Sequence, residues 1–390
     1  MTPAARINAA IDLIDRIQSG ELADRAMASW GRSNRYAGSK DRASIADIVY
    51  EVLRKKQSFA ALGRGETGRA LLLGFVRASK QDPETIFGAD RYAPSKLLAE
   101  ERVAGKLGEF VDEKVADFPD WARAELVRSH GDSAVGIAQA LRNRAPIYLR
   151  VNLAKLSRDD AINSLSTEGI IGKTSPLSSS AVEVLEGARK IRNSTLFQTG
   201  DVELQDASSQ AVADLVPLQS GQRLLDFCAG GGGKVLAVAG RVSGDFYAHD
   251  IDARRMKDLQ PRAARAGVSV KQVTIEDLAQ GSLFDTVLVD APCSGSGSWR
   301  RDPQGKWLLT EEKLDHVVQL QSEILNQVSS MVKPNGHLVY ATCSLFSKEN
   351  ELQTKQFLGR DETFTLSSER HFTPLDGGDG FYCAVLRKSQ

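Results

Sequence analysis

The chain of 390 residues reads as an α/β protein. A doubly wound domain, with a parallel sheet covered by helices on both faces, is preceded by a small α+β module and an all-helical N-terminal domain. Three observations carry this reading. From residue 206 onward, short apolar runs alternate with helical stretches. The first of these runs is followed by four successive glycines, Gly230 to Gly233. Before residue 140, apolar side chains recur at helical rather than strand spacing. The expected boundaries are 1–140, 141–205 and 206–390. The length suits two or three domains, and with 42% apolar residues each can bury a core.

Within 1–140, "INAAIDLIDRI" aligns Ile7, Ile11, Ile14 and Ile17 on one helix face. "DRASIADIVYEVLRKK" does the same with Ile45, Ile48, Val49, Val52 and Leu53. It closes on Arg54, Lys55 and Lys56, cations suited to a helix C-terminus. These three are expected as a solvated helix end, with RNA backbone contact as the competing reading. In 141–205, "IYLRVN" is a short strand. "SRDDAINSLSTEG" follows with a serine N-cap, a helical body and a glycine stop. "SSSAVEVLEGARKI" is a second strand or a short helix. In 206–390 the strands are "RLLDFC", "DFYAHD", "VSVKQV", "FDTVLVD" and "HLVYAT". Among the helices between them, "DARRMKDLQPRAARAG" is left open as to its continuity by Pro261. "EEKLDHVVQLQSEILNQVSSMV" presents Val317, Leu320, Ile324, Val328 and Met331 on one face. "YCAVLRK" is expected as a late edge strand.

Composition narrows the function classes. Lys+Arg and Asp+Glu both number 50, so net charge is zero and any nucleic-acid site must be a local groove. Four cysteines without a Cys-x-x-Cys or zinc spacing argue for reduced intracellular thiols and no metal. "MTPAARINAA" lacks a signal-peptide layout, and "ALLLGFV" is too short to span a bilayer. A cytoplasmic protein without a membrane partner is expected.

Two constellations carry chemistry. In "LLDFCAGGGGK" the glycines follow a strand and open a helix, which lets the backbone approach a ligand closely. Asp250 ends the next strand, where an acid can accept hydrogen bonds from both hydroxyls of a ribose. A dinucleotide and S-adenosylmethionine (SAM) fit equally well at this point, and a turn without ligand is the bland reading. Cys228 is expected as a small buried filler whose backbone lines the pocket. The second constellation is at the ends of the fourth and fifth strands: Asp290-Ala291-Pro292-Cys293, and Ala341-Thr342-Cys343-Ser344. Topology brings both thiols to the rim that carries the glycine turn. Hydride transfer has no use for two thiols there, whereas chemistry through a covalent sulfur adduct does. A thiolate added to carbon 6 of cytosine makes carbon 5 nucleophilic toward a sulfonium methyl. A free cysteine, with a pKa of roughly 8.5, needs a nearby cation such as Lys234, Arg300 or Arg301 to form that thiolate. Asp290 can hold the amine or ring nitrogen of the base.

"DAPCSGSGSWRRDP" and "YATCSLFSKENE", preceded by "LLDFCAGGGGK" and "HDIDARR", resemble the RNA cytosine-5 methyltransferases of the RsmB and Nop/Sun group. "GGDGFYCAVLRK" is similar to that family's C-terminal strand. "GSKDRASIADIVYEVLRKK" resembles the RsmB branch's NusB-like, RNA-binding helical domain. The resemblance implies a Rossmann-like SAM-dependent methyltransferase domain. It implies Cys343 as nucleophile and Cys293 as the residue that aids product release through proton removal. The cofactor site carries over to Cys228, Ala229, Gly230, Gly231, Gly232, Gly233, Lys234, Asp250 and Asp290. The implied substrate is small-subunit ribosomal RNA, bound by a monomer, with the target cytosine unstacked. A tRNA substrate, an NAD-type oxidoreductase and a non-catalytic RNA-binding assembly factor are the alternatives. A zinc deaminase is disfavoured because its His-x-Glu and Pro-Cys-x-x-Cys signature is absent. Two departures stand out. Gly230 occupies the position of the family's proline, and Val235 that of its threonine. Thr274 stands where an acid usually meets the adenine, with Glu276 or Asp277 as substitutes. Cys383, within a strand, is expected to be a buried filler.

Overall fold

A computed structural model of the chain describes residues 1–106, 117–279, 281 and 283–390. Two units separate: 1–144 with 299–308, and 145–298 with 309–390.

The first unit is helical. Its helices include Pro3–Gln18, Ala23–Ser33, Ser39–Arg54, Lys56–Gly63, Gly68–Ala78, Asp120–His130 and Ala134–Leu141. Thr2 caps the first by accepting from Ala5 N, with Pro3 in the first turn, where its missing N–H costs nothing. Ile7, Ile14 and Ile17 join Ile45, Val49, Val52 and Leu53 in one core, while Ile11 and Ile48 are partly buried against it. Arg54, Lys55 and Lys56 depart from the expected solvated end. Arg54 is buried, and its Nε donates to the Arg300 carbonyl at 3.0 Å. Lys55 pairs with Glu51 at 2.6 Å, and Lys56 lies over the Trp307 ring. The physical reason is the segment Trp299–Leu308, which belongs to this unit. Helix ends leave carbonyls without intrahelical partners. Here Trp307 Nε1 donates to Leu53 O at 2.7 Å and Lys306 Nζ donates to Arg54 O at 3.1 Å. Arg300 and Arg301, expected beside the thiols, therefore lie in the helical unit.

In the second unit, β1 (Ile147–Val151), β2 (Ile171–Thr174), β3 (Ala181–Glu186) and β4 (Val202–Leu204) form an antiparallel sheet in the order β2-β3-β1-β4. Ser157 caps the helix Arg158–Thr167 by accepting from Asp160 N. The ambiguous "SSSAVEVLEGARKI" resolves into β3 followed by a 3-10 turn. The larger sheet holds β5 (Arg223–Asp226), β6 (Asp245–Ala248), β7 (Val270–Gln272), β8 (Phe284–Asp290), β9 (Val332–Thr342), β10 (Phe364–Phe372) and β11 (Phe381–Lys388). Its order is β10-β11-β9-β8-β5-β6-β7. The chain winds outward from β5 through β6 to β7, then restarts at β8. The switch point between β5 and β8 is where such sheets bind ligands.

Two expectations need correcting. "YCAVLRK" is not an edge: β11 lies between β9 and β10, antiparallel to both, and is buried from Phe381 to Leu386. The edge is β10, whose seven middle residues are exposed and so show no apolar alternation to read. The helix Glu311–Ser329 packs through Leu314, Gln321, Leu325 and Val328; Val317, Leu320 and Ile324 are only half-buried. The stretch around Pro261 is not one continuous helix: a 3-10 turn, Ala253–Met256, precedes the helix Leu259–Ala266, and Pro261 sits in the first turn of the latter.

Gly297 locks the loops that follow β8 and β9 to the one that precedes β11. Its N–H donates to Cys343 O at 3.0 Å, and its carbonyl accepts from Gly380 N at 2.9 Å. A Cβ at Gly297 would stand 2.0 Å from Gly380 O. Gly297→Ala is therefore expected to destabilise the second unit by about 1–3 kcal/mol. A urea midpoint equal to that of the wild type would refute this.

Candidate active site

Residues 290 and 341 are register partners at the ends of the parallel strands β8 and β9. The loops that leave both strands must therefore exit at one rim. Cys293 and Cys343 are in these loops, and their sulfurs are 3.3 Å apart. Lys234, in the helix that follows the glycine turn, is buried, with Nζ 2.6 Å from Asp290 Oδ2. Burial opposes its charge, but Asp290, with help from Cys343 and Asp226, holds the ammonium above its ordinary pKa. The hydrogen bond with Cys343, then burial, then the charges of Cys343 and Glu349 hold the Cys293 thiol well above its usual range.

Glu349 was not singled out in the sequence, although it lies within "SLFSKENE". It is fully buried. One carboxylate oxygen accepts from Ser294 N at 2.7 Å and Gln321 Nε2 at 3.0 Å. The other accepts from Ser294 Oγ at 2.5 Å and from Ser344 Oγ. Ser294 and Ser344 each follow a cysteine, so one carboxylate ties both cysteine loops together. The available signal was an acid six residues beyond Cys343, and its spacing alone does not reveal such a bridge.

A cavity of about 730 Å³ opens beside the ends of β5, β6 and β7. Cys228, Asp250, Thr274 and Glu276 line it, with Ile251, Ile275, Pro292, Leu320 and Ile324 among its apolar walls. Asp250 also braces the turn, since its carboxylate accepts from Gly230 N at 2.9 Å and Asp252 N at 3.0 Å. The turn closes on itself where Ala229 N donates to His249 O and Gly232 N to Ala229 O. Asp277 folds back on Thr274 N at 2.9 Å, so of the two substitutes for an acid at Thr274 it is Glu276 that lines the cavity. Asp290 and Lys234, assigned to the cofactor by resemblance, form their ion pair on the thiol side. Burial raises the Cys228 thiol, and burial pushes the Cys383 thiol in β11 up to about 12.

This sheet, with a glycine turn after β5 and a cavity at its switch point, is that of a Rossmann-like, SAM-dependent methyltransferase. The cavity fits that cofactor: a buried acid for hydroxyls at one wall and apolar side chains for a purine at another. Residues 213–387 match the model of the 16S rRNA methyltransferase RsmB/F family, and 118–192 match the ferredoxin-like domain of RsmF/B-like methyltransferases. A ribosomal RNA small subunit methyltransferase B from Escherichia coli is 35% identical over 302 residues, covering 71% of this chain and 70% of that protein. One from Vibrio vulnificus is 36% identical over 285 residues, covering 69% and 66%. The chain thus spans about two thirds of the length of these relatives. The chain belongs to the RsmB/F family. Among solved structures, that of PH0851 shares the fold across 100% of this chain and 99% of its own, with a TM-score of 0.75 and 22% identity. NSun6 from Pyrococcus horikoshii, solved with SFG, a SAM analogue, has a TM-score of 0.62 and 20% identity, covering 70% of this chain and 99% of its own.

Two stability predictions follow from the buried acids. Asp226 is fully buried, and Val235 N donates to its Oδ2 at 3.2 Å while Oδ1 has no partner. Burial first, then the charge of Asp290, push its carboxyl up to about 7. Its contribution to stability is present below the unfolded value of about 4 and is lost as pH rises through the folded one. Asp226→Asn keeps an acceptor for Val235 and removes the titration. It should lose less stability than the wild type between about pH 5 and pH 8, as read by urea unfolding. Glu349→Ala strands four donors and should cost about 2–4 kcal/mol by the same measurement.

Proposed function

We propose that this protein transfers a methyl group from SAM to carbon 5 of a cytosine in small-subunit (16S) ribosomal RNA, through a transient bond between Cys343 and carbon 6. The observation that carries this reading is the pair of sulfurs 3.3 Å apart at the ends of adjacent parallel strands, beside the Lys234–Asp290 pair. Two thiols that close can both reach one unstacked pyrimidine. The family's membership and its relatives' names as small-subunit rRNA methyltransferases support the substrate class.

The roles follow from local electrostatics. Cys343 is the nucleophile that the resemblance implies, and the hydrogen bond between the two sulfurs, together with burial, keeps the proton on the Cys293 thiol. The Lys234 ammonium is placed to steady the thiolate form in which Cys343 attacks. Cys343 adds to carbon 6, and the electron pair moves toward carbon 5. Asp290, with its side chain 33% exposed, holds the exocyclic amine or protonated ring nitrogen of the base. SAM, when bound, supplies an electrophilic methyl group. Once Cys343 is bonded to the ring its charge is gone, and so is the interaction that held the Cys293 proton. Cys293 then releases that proton to water and takes the proton of carbon 5. The electron pair left behind restores the ring double bond and expels Cys343 as thiolate.

In this reading residues 1–140 and 141–205 dock the RNA, and the enzyme acts as a cytoplasmic monomer. Among the described residues, no helix is long and apolar enough to cross a membrane.

The test is methyl transfer from labelled SAM to 16S rRNA. Cys343→Ala should abolish it, whereas Cys293→Ala should accumulate a covalent protein–RNA complex visible as a retarded band. Turnover by Cys343→Ala would overturn the mechanism. Labelling of tRNA instead of 16S rRNA would overturn the substrate assignment. Calorimetric binding of NAD instead of SAM would overturn the reaction class.

A further inference from the structure

The glycine turn is gripped from outside by charged side chains that no step above uses. Arg150, on β1, donates through Nη1 to Gly233 O at 2.7 Å and to Gln205 Oε1 at 2.5 Å. Gln205 Nε2 donates to the same Gly233 carbonyl at 3.1 Å. Arg262, in the helix Leu259–Ala266, donates through Nη1 to Gly231 O. Glu203, on β4, gathers both guanidiniums: Oε2 is 3.2 Å from Arg150 Nη2, and Oε1 accepts from Arg262 Nε at 2.8 Å. Arg265 Nη2 also reaches Glu203, at 2.8 Å.

This arrangement is costly. The Arg150 side chain is 7% exposed and that of Glu203 13%. Burial, and the charge of Arg262 beside it, push the Arg150 guanidinium down to about 10. A buried charge is tolerated where geometry is good and its hydrogen bonds are met. Here those bonds end on backbone carbonyls of a turn that needs outside support. Gly230 and Gly232 have φ of +50° and +80°. Left to themselves, four glycines would sample many conformers and lose that freedom when a ligand binds.

We infer that Arg150, Arg262 and Glu203 are positioning residues for the cofactor, a guanidinium clamp on the carbonyls of the glycine turn. Pinned at Gly231 O and Gly233 O, the peptide planes that join Gly231 to Gly232 and Gly233 to Lys234 are held against rotation. The turn is preset before SAM arrives, and preorganisation of this kind appears as affinity. Two of the three clamp residues come from the small antiparallel sheet. The α+β module thus sets the strength of cofactor binding as well as whatever else it contacts. The inference rests on the reading that the turn serves SAM.

Calorimetry with SAM and the full-length protein, without RNA, tests it. Arg262→Ala should weaken SAM binding by about tenfold or more. In the methyl-transfer assay, KM for SAM should rise with kcat at saturation little altered. Arg262→Lys keeps the charge but cannot hold Glu203 and Gly231 together in one fork, and should recover only part of the affinity. Wild-type affinity in a folded Arg262→Ala protein overturns the clamp. Should that variant not fold, Arg150→Gln takes its place, and wild-type affinity there overturns the clamp equally. Failure of the wild type itself to bind SAM would overturn the cofactor reading instead, so the two failures are distinguishable.

Discussion

The parallel pairing of β8 with β9 is the constraint on which the site depends. Parallel neighbours end on the same side of a sheet, so whatever follows Asp290 and Thr342 must meet. The two sulfurs 3.3 Å apart are a consequence of register. A slip of one residue would turn every side chain of either strand to the opposite face. The insertion of β11 antiparallel to β9 protects that register, because β9 is hydrogen-bonded on both sides and has no free edge along which to slide.

Around this pairing the protein builds two kinds of rigidity. On the thiol side a buried carboxylate, Glu349, joins the serines that follow each cysteine. On the cofactor side Arg150, Arg262 and Glu203 grip the carbonyls of the glycine turn. Both devices bury charge with its hydrogen bonds met, which is tolerated only where geometry is well determined. Lys234 links the two sides, for it leaves the turn and reaches the acid at the end of β8. Both loops are thereby tied by buried hydrogen bonds, and the proposed reaction between two sulfurs and a flipped base would depend on such positioning.

The helical unit shows the same economy of polar groups. The helix Ser39–Arg54 ends with carbonyls to satisfy, and the segment Trp299–Leu308 supplies the donors through Trp307 and Lys306. Three cations that looked like a solvated end are instead used locally: one is buried, one forms an ion pair and one lies over an aromatic ring.

The residues alone determined the parallel strands, the glycine turn, Asp250 and the two cysteines at strand ends. Apolar runs of strand length and special turn residues are local signals, and local signals survive in one dimension. The helix face was misread by one stripe, because Leu320 and Ile324 are apolar in order to wall a cavity, not to meet the sheet. β10 was invisible because its middle residues face solvent. Which cation stands beside the thiols, which acid bridges their loops and which side chains grip the glycine turn were decided by tertiary structure alone. Each depends on side chains tens of residues apart in sequence. Charges become partners only when folding brings them within a few ångströms in a medium too dry to screen them.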